Sequence, residues 1–222
     1  MVIDDWGYNR SHCKLMADIP APLGIAVLPH LPFSNDIVQC ALENGKEPML
    51  HLPLEPHNMR EAFEADYLLT TKMSPSVVKK QLAKILKEMP GVVGVNNHTG
   101  SQGTEDEALM TLILAELKRR GLFFLDSFTS DRSQCGVAAR KLKMRIARRD
   151  VFLDNRNERE AIESEFASAA RIAKRQGHAL IIGHDRALTL QIIKEQVKKL
   201  QAQGYEFIGV QEYIRQYEYP GN

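Results

Sequence analysis

Short apolar runs alternate with longer amphipathic segments along the whole chain. No other feature constrains the fold as strongly: antiparallel strands can be joined by two residues, whereas parallel strands need a crossover of about a dozen or more, usually a helix. Apolar runs fall at 2–4, 24–28, 48–52, 92–95, 122–125, 151–153, 179–182 and 207–210. Helix signals lie between them. Ser74 precedes Pro75, and Val78, Leu82, Ile85, Leu86 and Met89 follow at helical spacing until Pro90-Gly91 stops the pattern. Thr104 with Glu107 reads as a capping box ahead of Leu109, Leu112, Ile113 and Leu117, with Gly121 as the stop. Asn157 with Glu160 repeats that signal, Gly177 closes the helix, and 189–203 forms another that Gly204 ends. The expectation is an α/β fold with parallel strands, either an open doubly wound sheet or a barrel. A length of 222 residues suits one domain over 1–222.

Polar, ligating or titratable side chains end nearly every run. They are Asp4-Asp5, Pro29-His30, His51, Asn96-Asn97-His98, Asp126-Ser127, Asp154-Asn155 and His184-Asp185. In parallel α/β folds the carboxyl ends of the strands form the face on which sites are built. Any one ending has a structural explanation, such as an Asx turn at Asp4-Asp5 or a core histidine at His51 bonded to a carbonyl. Their convergence is what points to chemistry. Successive strand residues face opposite ways, so of two adjacent carboxylates one can ligate a metal while the other takes a proton from water. His51 sits in an apolar strand where a neutral, ligating imidazole is favoured. One carboxylate with His51 and His98 is a plausible set for a divalent transition metal, zinc first among them.

The order Ile3-Asp4-Asp5-Trp6-Gly7, Met49-Leu50-His51-Leu52-Pro53-Leu54-Glu55-Pro56, Asn97-His98-Thr99-Gly100-Ser101, Leu125-Asp126-Ser127 and Ile182-Gly183-His184 resembles the divergent polysaccharide deacetylase family over nearly the whole chain. The resemblance implies a distorted seven- or eight-stranded (β/α) barrel and a metal-dependent hydrolase, acting as a deacetylase on an N- or O-acetylated carbohydrate of the cell envelope. By position, Asp4 is then the base, Asp5 a ligand of the metal, and His184 the general acid. The family's HxxxH pair is absent, since Glu55 follows His51 and Gln102 follows His98 at that spacing. The resemblance therefore places the other ligands on His51 and His98 from separate strands, as in the more distant chitooligosaccharide deacetylase-like barrels, with His57 a substitute for either. Asn97, Asp126, Ser127 and Asp154 are expected around the site or at the substrate, and Asp126 or Asp154 is expected to hold the His184 imidazole. The family's arginine that orients the catalytic aspartate has only Arg132 and Arg156 as candidates. These departures leave a second expectation open, a carbohydrate-binding or envelope-associated protein on the same scaffold with catalysis lost.

Composition narrows the rest. With 29 basic and 28 acidic side chains, nothing calls for a nucleic-acid partner. Arg140, Lys141, Lys143, Arg145, Arg148 and Arg149 cluster, which reads as a solvated rim rather than a polyanion site. There is no P-loop and no GxGxxG after a strand, against a nucleotide cofactor. Cys13, Cys40 and Cys135 are odd in number and form no CxxC pattern, so three free thiols are expected. No apolar run approaches the ~20 residues of a membrane span, and no signal peptide is visible. The abrupt start at Met1-Val2, with the envelope substrate that the resemblance implies, gives the expectation of an extracytoplasmic protein.

Overall fold

A sheet whose two edge strands are almost consecutive in sequence cannot lie flat, and this geometry decides the architecture. The computed structural model describes residues 1–61 and 65–217, which include every candidate site residue. Among them run β1 (Val2–Trp6), α1 (Cys13–Ala17), β2 (Gly24–Val27), α2 (Ser34–Glu43), β3 (Glu47–Leu54), α3 (Pro75–Glu88), β4 (Gly94–Thr99), α4 (Glu107–Arg119), β5 (Phe123–Asp126), α5 (Cys135–Leu142), β6 (Ile146–Arg148), β7 (Val151–Phe152), α6 (Arg159–Gln176), β8 (Ile181–His184), α7 (Ala187–Gln201) and α8 (Val210–Gln216). All strand pairs are parallel, in the order β6-β5-β4-β3-β2-β1-β8-β7. A flat sheet of this width would hold its edges about 34 Å apart at ~4.8 Å per gap. Only Arg149 and Asp150 separate β6 from β7, and they span at most about 11 Å. The sheet must curl until its edges lie close together, although β6 and β7 do not pair. At the seam the hydrogen-bond partner changes: Arg149 N donates to Asp126 O on β5 (3.0 Å), and Asp150 N donates to Leu180 O beside β8 (2.8 Å). The result is the distorted (β/α) barrel.

Period-2 alternation sorts the side chains into two cores. Val2, Ala26, Met49, Phe123, Leu125, Ala147, Leu180 and Ile182 form the inner cluster, while Ile3, Ile25, Leu50, Leu52, Val95 and Phe124 belong to the larger cluster, where sheet and helices meet. Gly94 is required on the inner face, where a Cβ would fall 2.1 Å from the Phe123 ring. Val210 and Ile214 of α8 complete the inner cluster, and Glu47 caps that helix by accepting from Val210 N at 2.5 Å.

Sequence expectations are corrected at five points. Residues 207–210 are not a strand: they lead into α8, because the barrel already closes through β6 and β7. The three-residue β6 lies inside the basic run and has no apolar signature of its own. The helix placed after Thr104 is capped by Asp106, which accepts from Leu109 N at 2.8 Å, while Thr104 donates to Gly100 O within a 3-10 turn. Likewise α6 starts after Glu158 rather than at Asn157. Finally, Cys13 and Cys40 are joined in a disulfide across α1 and α2, with Cα atoms 6.5 Å apart, and Cys135 is the buried free thiol. Their separation of 27 residues gave no local signal.

Candidate active site

The inward-facing residue at the carboxyl end of each strand follows from the alternation. Val2 inside puts Asp4 inside, Met49 puts His51, Gly94 puts Asn96 and His98, Leu125 puts Ser127, and Ile182 puts His184. Strand register then sets neighbours, with Asp4 opposite His184 and His51 opposite Asn96. Asp5 breaks the alternation. It sits at a register shift of β1 with φ +66°, in the left-handed region that aspartate tolerates better than most residues. Both carboxylates therefore reach His51 instead of facing opposite sides: Nε2 lies 3.7 Å from Asp4 Oδ2 and 3.3 Å from Asp5 Oδ1. Thr99 at the end of β4, and His30 and Phe128 just beyond β2 and β5, also have positive φ. Backbone of this kind costs about 1–3 kcal/mol per residue and collects at functional sites.

Asp5 Oδ1 is 3.1 Å from His98 Nδ1 as well. The candidate ligand atoms of Asp5, His51 and His98 all lie within 4.8 Å of one another. Tetrahedral sites with bonds of ~2.0–2.2 Å hold their ligands about 3.3–3.6 Å apart, so one carboxylate and two imidazoles at these distances fit a divalent transition ion. Among the described residues, buried Asp5 Oδ1 makes no well-aligned hydrogen bond despite two nitrogens nearby, as an atom aimed at a common ligand point would.

Asn96 links this cluster to Asp4. Its Nδ2 donates to Asp4 Oδ1 at 2.8 Å and to Ser127 Oγ at 3.2 Å. Its Oδ1 faces His51 Nδ1 at 2.8 Å, so that nitrogen carries the proton and Nε2 keeps its lone pair for a ligand. On the far side, His184 Nδ1 lies 2.7 Å from Asp154 Oδ1. Asp154 Oδ2 accepts from Thr189 Oγ1 (2.7 Å) and from the His184 backbone (3.1 Å). Burial pushes Asp4 above the ordinary carboxylate range against the charges of His51 and His184. Burial acts upward on Asp5 also, but the nearby His51 and His98 imidazoles outweigh it and hold Asp5 low. Burial disfavours imidazolium at His184, yet Asp154, Asp4 and Asp5 prevail and raise it. In turn His184 and Thr189 overcome burial to hold Asp154 low.

Several expected residues lie elsewhere. Asn97 faces away from the cluster, accepting from Ser127 N (2.9 Å) and donating to Thr99 O (2.8 Å). Asp126 points toward α5, where Ser133 Oγ and Phe128 N donate to it at 2.7 and 2.8 Å, so Asp154 alone holds His184. His57 and Arg132 meet over Glu105 on an exposed rim, and Arg156 is exposed. Asn96 and Arg149 were missed. Asn96 had a signal: if His98 faces inward, so does the residue two before it. Arg149 lay in the basic run read as a solvated rim. Instead its Nε and Nη2 donate to Ser127 O and Phe128 O at 2.7 and 2.9 Å, and its Cζ lies 3.7 Å from the centre of the Phe152 ring. Burial lowers its proton affinity, and Asp126, Asp150 and Asp4 act against that.

Fold and site together define a (β/α)-barrel protein of the polysaccharide deacetylase type. The chain belongs to the divergent polysaccharide deacetylase family, whose sequence model matches residues 1–214. It is 30% identical over 200 residues to uncharacterised proteins of Haemophilus influenzae and Escherichia coli, the latter YibQ; the match covers 90% of this chain, 71% of the first and 62% of the second. Among solved structures, an uncharacterised protein from Agrobacterium tumefaciens C58 superposes with a TM-score of 0.90 at 22% identity, covering 95% of this chain and 86% of that one. The fold is also shared with a carbohydrate esterase family 4 pseudoenzyme from Bacillus anthracis (TM-score 0.56, 15% identity, 96% of this chain, 63% of that one). The peptidoglycan deacetylase PdaC of Bacillus subtilis gives a TM-score of 0.52 at 16% identity, covering 97% and 89%.

Proposed function

We propose that the chain is a metal-dependent deacetylase that hydrolyses an N- or O-acetyl group on a carbohydrate of the cell envelope. The observation that carries this reading is the convergence of Asp5, His51 and His98 on one point, with Asp4 and His184 in register beside it. A divalent ion there, zinc by its ligand chemistry, would polarise the acetyl carbonyl and make water a better nucleophile. Asp4, fixed by Asn96, is placed to accept the proton of the attacking water. His184, backed by Asp154, is placed to deliver one to the departing nitrogen or oxygen. Base and acid must differ in protonation state, and their surroundings differ accordingly. Asp4 is a buried carboxylate fixed by a neutral amide, and His184 is an imidazole stabilised as a cation by its carboxylate partner.

Metal analysis of the purified protein, followed by acetate release from acetylated chitin and peptidoglycan fragments, tests the proposal. One equivalent of zinc, lost in His51→Ala and His98→Ala with the circular dichroism spectrum retained, is the expected result. A metal-bound structure with two of the three residues beyond ligating distance would overturn the site. Stoichiometric metal with no turnover on any acetylated glycan would favour the binding-protein reading. An extracytoplasmic location is part of the proposal, and the Cys13–Cys40 disulfide supports it, since such bonds persist in oxidising compartments.

A further inference from the structure

The His184 imidazole is fixed in one direction by Asp154, but a single hydrogen bond at Nδ1 leaves the ring free to tilt about the N···O line. A second restraint lies in the seam. Phe152, in the two-residue strand β7, stands nearly parallel to the imidazole, with centroids 5.7 Å apart and planes 16° from one another. The Arg149 guanidinium rests on the Phe152 ring at 3.7 Å. That guanidinium is not free to move: it is tied to two consecutive carbonyls, Ser127 O and Phe128 O, just beyond β5. Its own backbone N–H donates to Asp126 O. Arg149 therefore grips the β5 side of the seam with main chain and side chain, and its cationic face meets a ring carried on the β8 side.

We propose that Arg149 is a positioning residue that closes the barrel seam and, through Phe152, sets the plane of the His184 imidazole. Lysine cannot substitute for it, because a point charge on a flexible stem neither spans two carbonyls nor lies flat on a ring. The part His184 plays in hydrolysis rests on the function proposed above, whereas the Arg149–Phe152–His184 stack stands on the geometry alone. The groups facing His184 are Asp154, which also interacts with Arg186, together with Asp4 and Asp5. Arg149→Lys and Phe152→Leu alter none of these charges, so a change at His184 in either variant reports position.

The test follows the His184 ring by nitrogen-15 NMR in the intact chain with and without added zinc. In Arg149→Lys and Phe152→Leu the imidazole should leave Asp154 part of the time. Its Nδ1–H should exchange faster with water, and its titration midpoint should fall toward the ordinary value of about 6.5. Phe152→Tyr retains the ring and should match the parent chain. Zinc stoichiometry should be unchanged in all three, since neither Arg149 nor Phe152 belongs to the candidate ligand set Asp5, His51 and His98. An unaltered His184 signal in folded Phe152→Leu and Arg149→Lys would overturn the proposal. Failure of the parent chain to bind zinc would strike the metal site and leave this result standing.

Discussion

Asn96 illustrates how one amide sets the state of two titratable partners. It is fully buried, so each of its hydrogen bonds is exchanged against an unsatisfied group rather than against water. By donating to Asp4 it keeps that oxygen an acceptor, and by accepting from His51 it fixes the tautomer that exposes Nε2. Asn96→Leu removes both roles in one step. The expected outcome is loss of activity with weaker metal binding, since His51 can then present either nitrogen, and isothermal titration with zinc checks it. Asp4→Asn and His184→Ala should each lower turnover by about 100-fold or more, the lower end for a general base or acid, while retaining metal. Full activity in either variant would remove that residue from the mechanism. At this scale much of the site was legible in sequence, because ligating side chains at strand ends stand out against apolar runs. What escaped were residues whose meaning depends on register. Asn96 and Asn97 are identical in composition and adjacent, and only the facing direction of β4 separates a site residue from a loop brace. Asp126 and Asp154 likewise end comparable strands, and only the turn toward α5 takes Asp126 away.

Elements long enough to show a period were readable, and short ones were not. The helical spacing from Val78 to Leu86 predicted α3, and all four of its buried apolar residues lie on that spacing. In contrast β6 and β7 together contribute five residues, too few for either alternation or a run, yet their junction closes the barrel. The cap of α4 shows a different failure. Thr104 and Asp106 are both good N-cap residues, and the sequence favoured the threonine because glutamate follows three residues later. The extended backbone of Asp106 (φ −89°, ψ 104°) decides in favour of the aspartate. Asp106→Ala should therefore cost about 1 kcal/mol of stability, the usual value of such a cap. Thr104 is buried, and both its hydroxyl and its backbone N–H donate to Gly100 O, so Thr104→Val, which keeps the shape but removes the hydroxyl bond, is a separate and independent loss. Urea unfolding of the two single variants and the double variant checks this. A neutral Asp106→Ala would show that the cap contributes nothing, and strong coupling in the double variant would show that the two residues form one box after all.

The molecule as a whole is tied at two places where sequence is silent, the seam between β6 and β7 and the bridge between α1 and α2. The bridge joins the first two crossovers of the barrel, immediately after the loop that follows Asp4 and Asp5. Closing a loop of 27 residues removes unfolded-state entropy equivalent to about 3.5 kcal/mol in the chain-entropy account. For a chain of this length that corresponds to about 10 °C in Tm, at roughly 2–4 °C per kcal/mol. Cys13→Ser and Cys40→Ser should each show that loss in thermal unfolding, and the parent chain in reductant should match them. Equal Tm values would mean that the bond adds no stability in solution. The same pair tests the proposed location, because the chain must meet an oxidising environment for the bond to form. Protein captured from native cells into an alkylating agent, then unfolded and counted for free thiols, should carry a label on Cys135 alone. Three labelled cysteines on the captured protein would place it in a reducing compartment, which argues against an envelope glycan as its substrate while leaving the metal site and its chemistry to be judged on their own measurements.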